Sequence, residues 1–195
     1  MPRKPREFVD QGIYHVFNRG NNRSNVFQSV GDYLCFLNLM QSAKDKYEIQ
    51  IFHYCLMTNH FHFLLRSNKK NDLPAFMHWL QLGYVRYFKS KYETTGHVFE
   101  ERFRSPRIAE ESYYLQCGRY IERNPVKANV VSYAWHYVYS SASFYVEGKS
   151  NPLITPNIYY LQMGGTEVER KKSYQKFLLL EEPYEPLIGA QLLKH

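Results

Sequence analysis

Residues 49–66 have the sequence IQIFHYCLMTNHFHFLLR, and this stretch decides the fold. Its alternating pattern predicts a β-hairpin whose two strands are separated by a turn at Thr58-Asn59. Successive side chains of a strand point to opposite faces. In the second strand the apolar side chains therefore face a core, while His60 and His62 project together from the other side. In the first strand the two predicted faces are Ile49, Ile51, His53 and Cys55 against Phe52, Tyr54 and Leu56.

The segment His60-Phe61-His62 is open to two interpretations. Two neutral imidazoles at adjacent same-face positions of a rigid strand can bind one divalent metal ion. Histidines among aromatic side chains can also be half-buried structural residues that bind nothing. A third ligand and a nucleophile elsewhere in the chain would favour the metal site.

Composition favours a nucleic-acid partner, though only modestly. The 195-residue chain is long enough for one ordinary domain with an extension. It has 25 Lys and Arg against 18 Asp and Glu, a net charge of +7, and 18 tyrosines. Basic side chains suit phosphates, and planar rings suit unstacked bases.

Cysteine usage points to a reducing compartment. Cys35, Cys55 and Cys117 are scattered and form no C-x-x-C motif, which argues against a disulfide framework and a cysteine zinc site. The basic N-terminus leads to no apolar segment of a signal peptide, and no apolar run has the length of a membrane span. We therefore expect a cytoplasmic protein with no membrane partner.

The order of the predicted elements indicates the fold class. A strand at 13–19 and a helix capped by Asp32 precede the hairpin, and a helix capped by Asp72 follows it. A strand at 98–108, interrupted near Pro106, then leads to a third helix. This order predicts an α+β, ferredoxin-like βαββαβ antiparallel sheet with helices on one face.

The third helix is predicted over 112–123. Asn124-Pro125 should end it, because the residue before a proline is disfavoured in the helical conformation, and Pro125 could open a short following helix. The polar segment 148–152 marks a candidate boundary between residues 1–150 and a C-terminal helical extension, 151–195. Thr166 and Glu169 form a capping box that predicts a helix within the extension.

Tyr120 and Asn124 are four residues apart on the third helix, so their side chains should lie one above the other. A phenol has a pKa near 10 and is a poor nucleophile until something favours the phenolate. A divalent ion bound by two imidazoles and an amide oxygen would keep open positions for a phosphodiester. Spacing alone leaves the choice open, since Tyr113 and Tyr114 are on the same helix and Asn124 could be merely a cap.

Four segments resemble the single-tyrosine HUH transposases, and in particular their REP-associated branch. HYCLMTNHFHFLL (53–65) resembles the segment that carries the histidine pair, and RYIERNPVKA (119–128) resembles the helix that carries the nucleophile. YHVFNRGNNR (14–23) and GHVFEERF (96–103) match the same branch in order and spacing. The resemblance covers roughly residues 10–145 and is specific in combination.

The resemblance implies a bacterial, DNA-associated enzyme with a ferredoxin-like catalytic domain. Such enzymes cleave single-stranded DNA beside an imperfect hairpin, with Mg²⁺ or Mn²⁺, through a 5′-phosphotyrosine that leaves a free 3′-OH. By the matching positions Tyr120 is the nucleophile, and His60, His62 and Asn124 are the metal ligands. Insertion-sequence relatives usually have Gln at the position of Asn124 and act as dimers, whereas the REP-associated branch has Asn and tends to be monomeric; monomer and homodimer both remain open.

Two departures from the family pattern concern the target rather than the catalytic groups. Thr58 replaces a usual proline, and Glu100-Glu101 replaces a commoner Gln-Gly beside the expected DNA. We expect DNA contacts from the basic loops, the helix surfaces and the alternating segment around Phe103. The candidate DNA-binding residues are Arg19, Asn22, Arg23, Lys69, Lys70, Arg86, Arg102, Arg104 and Arg119. Of these, the helical Arg119 is expected to face solvent or backbone phosphates.

Two other functions compete with the strand transferase. A non-catalytic or regulatory protein could bind single-stranded or hairpin DNA on the same fold, using the basic loops and exposed rings. A metal hydrolase that activates water is weaker, because no carboxylate accompanies the histidine pair as an obvious base, although Glu122 could be nearby. A Tyr120-dependent covalent adduct distinguishes the three.

Overall fold

The computed structural model describes residues 7–109 and 111–180, with no side-chain detail for residues 111 and 112. The strands are β1 (Gly12–Arg19), β2 (Ile49–Met57), β3 (His60–Ser67) and β4 (Arg107–Ile108). The helices are α1 (Val30–Lys46), α2 (Asp72–Tyr92), α3 (Glu111–Lys127), α4 (Ala142–Glu147), α5 (Ile158–Leu161) and α6 (Glu167–Leu179), with 3₁₀ turns at Asn21–Arg23 and Ala134–His136. None of the helices in these ranges combines the length and apolar character needed to cross a lipid bilayer.

The strands form one antiparallel sheet in the order β2-β3-β1-β4, which confirms the predicted ferredoxin-like α+β fold. One face of the sheet carries the larger core, into which Phe36 of α1 and Phe76 of α2 pack. The other face carries a second apolar cluster that includes Cys117 and Ile121 of α3. The third helix therefore covers the face from which the histidine pair projects.

The fourth strand is shorter than predicted. Only Arg107–Ile108 pairs as a strand, while residues 98–106 follow β1 through single contacts. Phe17 and Arg104 exchange two backbone hydrogen bonds of 3.0 and 2.8 Å. The carbonyl of Pro106 accepts from the amide of His15, but a proline has no N–H to return to the ladder. The segment therefore follows β1 without forming a continuous strand.

A β-bulge in β2 makes the predicted faces of this strand wrong. Ile51 pairs with Leu65 and His53 with Leu64, so one extra residue is inserted between two consecutive pairs. A bulge shifts the side-chain alternation by one position. Tyr54 and Leu56 therefore join Ile51 on the α1–α2 face, while Cys55 lies on the α3 face.

The third helix continues past the predicted stop. It includes Pro125 and ends at Lys127, so no separate helix begins at the proline. The prediction failed because proline forbids only the hydrogen bond from its own nitrogen, which leaves the carbonyl of Ile121 without its usual helical donor. The amide side chain of Asn124 supplies a substitute, donating to the carbonyls of Tyr120 at 2.9 Å and Ile121 at 3.3 Å.

The described part of the extension packs on the sheet's larger core. Leu153, Tyr160, Tyr174 and Leu178 are buried in the same cluster as the strands and α1. The helix predicted from the capping box is confirmed as α6, with Thr166 as its N-cap. Residues 181–195 of the predicted extension lie outside the described residues, and the domain boundary near residue 150 stays a prediction.

The carboxylate of Asp32 holds the start of α1 to the end of α2. Asp32 lies inside the first turn, after the N-cap Ser29, so its predicted place as the cap is wrong by three residues. Its buried carboxylate accepts from the Lys91 ammonium at 2.6 Å, the Tyr92 hydroxyl and the amides of Gln28 and Ser29. Burial alone would raise the pKa of Asp32, but these donors outweigh it and hold the pKa well below its usual range.

Asp32→Asn is expected to lower the free energy of unfolding by about 3 kcal/mol at neutral pH, because it removes the buried negative charge that pairs with Lys91 and accepts the surrounding hydrogen bonds. A carboxyl with a depressed folded-state pKa stabilises the fold above its unfolded pKa near 4 and loses that contribution as the pH falls. The free energies of unfolding of wild type and variant should therefore approach each other by roughly 1 kcal/mol when the pH is lowered from 6 to 3. Urea unfolding at both pH values measures it, and a difference that does not depend on pH contradicts the account.

Candidate active site

The histidine pair lies where the hairpin predicts it. His60 and His62 are at the start of β3, with ring centroids 5.1 Å apart, and line an open cleft of about 280 Å³. Phe61 and Phe63 are fully buried on the opposite face against α1 and α2. The alternation of β3 is confirmed, and it directs both imidazoles to the same side.

The ring of His60 is oriented by its neighbour in the turn. Its Nδ1 lies 2.7 Å from Oδ1 of Asn59, and an amide oxygen only accepts hydrogen bonds. The Nδ1 atom therefore donates, and in a neutral imidazole the Nε2 atom then carries a lone pair. That Nε2 lies 3.5 Å from Oδ1 of Asn124 on α3. Two acceptor atoms thus face each other across the cleft.

The side chain of Asn124 is oriented by its own helix. Its Nδ2 donates to the carbonyls of Tyr120 and Ile121. The opposite amide orientation would set Oδ1 against those carbonyl oxygens, so the hydrogen bonds fix which atom faces His60. The prediction of Asn124 as a mere cap does not account for this orientation.

His62 contacts a third histidine, which is not among the predicted site residues. Nδ1 of His62 lies 2.9 Å from Nε2 of His15 in β1, and the two rings stack with centroids 5.1 Å apart. His15 is fully buried. Its signal in the sequence was its place in the alternation of β1, which puts it on the same face as Phe17, the cross-strand partner of His62.

The three imidazoles are uncharged at neutral pH. Burial lowers the pKa of His15 to about 3. Burial also lowers the pKa of His62 well below its usual value, and the neighbouring His15 and His60 lower it further. The pKa of His60 is lowered as well, mainly by burial. Neutral imidazole is the form that binds metal ions.

The donor set fits one divalent cation. The lone pair of His60 and the amide oxygen of Asn124 would repel each other, and a cation between them removes this repulsion. Neighbouring ligands of a six-coordinate Mg²⁺ lie about 3 Å apart, close to the spacing seen here. Within residues 7–109 and 111–180 no three His, Cys, Asp or Glu side chains form a metal cluster, so the amide would have to act as the third ligand.

Tyr120 lies beside the histidines of its own chain. Its ring centroid is 5.5 Å from that of His62 and 5.9 Å from that of His15, in edge-on arrangements. Asn124 is one turn further along α3. The predicted pair on the helix and the predicted pair on the strand therefore meet within one chain.

The opposite flank of α3 is held by a buried carboxylate. Glu122 is fully buried and accepts from Ser141 at 2.5 Å and from the Tyr174 hydroxyl of α6 at 2.8 Å. Its other contact is Nδ1 of His53 in β2, at 2.9 Å. Gly118 makes room for this ring, because a Cβ there would lie 2.8 Å from Nε2 of His53. Glu122 is thus engaged with His53, Ser141 and Tyr174, which removes the base suggested for a water-activating hydrolase.

The prediction that Arg119 faces solvent or phosphates is wrong. Its side chain is fully buried, with the guanidinium carbon 5.6 Å from the Phe177 ring centroid of α6. Arg123, one turn later, donates to the carbonyls of Leu178 and Leu180. The extension therefore covers the flank of α3 that appears polar from the helix alone.

The other candidate DNA contacts divide by location. Arg19, Arg102 and Arg104 line the cleft with the histidine pair, whereas the exposed Asn22 and Arg23 follow β1 in the 3₁₀ turn. Two more candidates, Lys69 and Lys70, lie beyond the far end of β3, and Arg86 lies on α2, across the sheet from the imidazoles. A role in DNA binding stays a prediction for all of these residues.

An acidic residue shares the cleft with these cations. Glu100 accepts two hydrogen bonds from the Arg19 guanidinium, from Nε at 2.9 Å and Nη2 at 2.7 Å. Both side chains are about two-fifths exposed. Glu100, one of the two acidic departures from the family pattern, therefore neutralises Arg19, the residue of β1 that pairs with His60.

Among the comparisons with known proteins, one solved structure supports this architecture. The chain matches no curated protein sequence. A REP-associated tyrosine transposase bound to a REP hairpin shares its fold with a TM-score of 0.64 and 17% identity, over 81% of this chain and 93% of that one. A protein described as a transposase from Deinococcus radiodurans R1 has a TM-score of 0.43 and 19% sequence identity, and the match covers 63% of this chain and 97% of that one. The tRNA(His) guanylyltransferase of Saccharomyces cerevisiae has a TM-score of 0.46 and 14% sequence identity, and the match covers 93% of this chain and 85% of that one.

A family model covers the segment that contains all four residues predicted for catalysis and metal binding. Residues 8–124, from before β1 to Asn124, match the model described as IS200-like transposase. The matched segment spans more than half of the chain and includes the histidine pair and Tyr120. The chain therefore belongs to the IS200-like transposase family.

Proposed function

We propose that this chain is a metal-dependent single-stranded DNA endonuclease and strand transferase that acts beside DNA hairpins. The observation that carries the proposal is the meeting of two sequence-distant pairs in one chain. Tyr120 lies edge-on to His62, and Asn124 points its amide oxygen at His60. A nucleophile and a set of neutral ligands are what phosphodiester transfer to a side chain needs.

The residues have separate roles in the proposed reaction. His60, His62 and Asn124 would hold Mg²⁺ or Mn²⁺, and the bound ion would polarise a phosphodiester oxygen and stabilise the charge that develops on the phosphate. The Tyr120 phenol loses its proton to solvent, and its oxygen forms a bond to phosphorus. The bond from phosphorus to the 3′ oxygen breaks, and that oxygen takes up a proton as the free 3′-OH.

The 5′-phosphotyrosine keeps the energy of the original phosphodiester. A 3′-OH can attack it in the reverse sense, releasing Tyr120 and rejoining DNA without ATP. The same cleft can therefore cleave one strand and join another, which is the chemistry of transposition.

The proposed DNA partner is a hairpin with a single-stranded flank. Arg19, Arg102 and Arg104 line the cleft, and in this proposal their guanidinium groups contact backbone phosphates. The solved REP-associated transposase that shares this fold is described as bound to a REP hairpin. That fold, with Asn rather than Gln at position 124, supports placing the chain in the REP-associated branch.

Tyr120→Phe is expected to abolish the covalent adduct and to lower the cleavage rate on the order of a thousandfold or more, because the attacking oxygen is removed. The assay uses a hairpin oligonucleotide with a labelled single-stranded flank, Mn²⁺ and a denaturing gel. Tyr113→Phe is the matched control. It lies on the same helix, and its buried hydroxyl has no hydrogen-bond partner in the described structure.

Two outcomes of this assay favour the competing functions. Tight hairpin binding with no Tyr120-dependent adduct across several flanking sequences would indicate a regulatory DNA-binding protein. Cleavage that persists in Tyr120→Phe would indicate that water is the nucleophile.

Removing divalent metal with EDTA is expected to stop cleavage and to leave hairpin binding within about threefold, because phosphate contacts do not need the ion. Adding Mn²⁺ should restore the reaction. His60→Ala should weaken Mn²⁺ binding at least tenfold, measured by calorimetry without DNA. His78→Ala on the exposed side of α2 is the control and should bind Mn²⁺ as wild type does.

Glu100→Gln is expected to tighten single-stranded DNA binding about two- to fivefold, because it releases Arg19 to contact a phosphate. The slope of the logarithm of affinity against the logarithm of salt concentration should steepen by up to about 0.7. Fluorescence anisotropy at several salt concentrations measures both. Glu147→Gln, which breaks the comparable surface pair with Lys149, is the control, and equal effects of the two substitutions would contradict the role of Arg19.

A further inference from the structure

His15 occupies a fully buried position where an apolar side chain would leave no polar atom without a hydrogen-bond partner. It is fully buried on the α3 face of β1, where it packs against Phe17 as well as His62. Its Nδ1 has no hydrogen-bond partner in the described structure. A buried polar atom without a partner costs about 1–3 kcal/mol. Packing alone would favour Leu or Phe here, so the bond from Nε2 to His62 is the feature that calls for a histidine.

The bond between the two rings determines which nitrogen of His62 is available. A neutral imidazole has one N–H. If Nδ1–H of His62 donates to Nε2 of His15, the Nε2 atom of His62 keeps its lone pair. If His15 donates instead, the Nε2 atom of His62 carries the hydrogen and cannot bind a metal ion. Only the first arrangement matches the orientation of His60, whose Nδ1–H donates to Asn59.

We propose that His15 is a positioning residue for the metal site. As the acceptor for Nδ1–H of His62, it fixes the tautomer and the orientation that present Nε2 of His62 to a divalent cation. Through its edge-on contact with the Tyr120 ring, 5.9 Å between centroids, it also holds the nucleophile beside that ligand. Asn59 has the equivalent role for His60 at 2.7 Å. This inference rests on the proposed function, because it presupposes that His60 and His62 bind the ion.

The decisive measurement is Mn²⁺ affinity of the full chain without DNA, by calorimetry, for wild type, His15→Phe and His15→Gln. Losing the outer partner of a ligating histidine typically weakens metal binding 10- to 100-fold. We expect a loss of that size in His15→Phe. His15→Gln should recover a substantial part of it, because its amide oxygen can accept from His62. The melting temperature of the metal-free protein separates positioning from folding, since His15→Phe should melt at or above the wild-type temperature.

The tautomer itself gives a second readout. Long-range ¹⁵N–¹H correlation spectra of the metal-free protein should show His62 protonated at Nδ1 in wild type, with that preference lost in His15→Phe. If His15 only filled space in the core, replacing it would leave the tautomer of His62 unchanged. A His62 protonated at Nε2 in the wild type would overturn the proposal.

His60→Ala distinguishes the inference from the function on which it rests. Mn²⁺ binding that is lost in His60→Ala and weakened in His15→Phe supports both. Binding that is lost in His60→Ala and unchanged in His15→Phe overturns the role of His15 and leaves the proposed function standing. Wild-type binding that does not depend on His60 overturns both.

Discussion

The buried carboxylate of Glu122 is the interaction on which the geometry of the site depends. A carboxylate in the interior costs several kcal/mol unless hydrogen bonds satisfy it. Its donors come from separate places: His53 in β2, Ser141 before α4 and Tyr174 in α6. The helix can bury Glu122 only when the strand and the extension are both in place. Because Tyr120 and Glu122 are two residues apart, they lie on opposite flanks of α3. The hydrogen bonds that hold Glu122 therefore also set the direction in which Tyr120 points.

The fold and the histidine pair could be predicted because each depends on local periodicity, whereas the choice of Tyr120 and Asn124 came from the resemblance to single-tyrosine transposases. Alternation in β3 is enough to place His60 and His62 on one face, and four-residue spacing is enough to stack Asn124 above Tyr120. The bulge in β2 could not be predicted, because residues on both sides of it are apolar and either alternation fits. The prediction that Arg119 faces solvent or phosphates failed for a different reason. A polar side chain on an isolated helix is assigned to solvent, and its partner Phe177 comes from a segment with no pattern that reveals where it packs.

His15 was missed because its importance arises from pairing between strands. The hairpin brings β2 beside β3, and its turn is visible in the sequence. The pairing of β1 with β3 joins residues about 45 positions apart, and its register determines that Phe17 lies opposite His62. A one-residue shift of that register would turn His15 to the α1–α2 core. The sequence places His15 on an alternating strand, but only the register brings it to His62.

The three proposed ligands share one design, in which the polar atom that does not face the cleft is already bonded. Nδ1 of His60 is bonded to Asn59, Nδ1 of His62 to His15, and Nδ2 of Asn124 to the carbonyls of its own helix. A side chain whose other polar atom is engaged loses that bond if it rotates, so the remaining donor atoms are held in place before any ion arrives. For Asn124 the cause is Pro125. The proline removes the N–H that would bond to Ile121, and the amide that replaces it turns its oxygen toward His60. The residue that predicts the end of the helix is therefore the residue that turns the amide oxygen of Asn124, the third proposed ligand, toward His60.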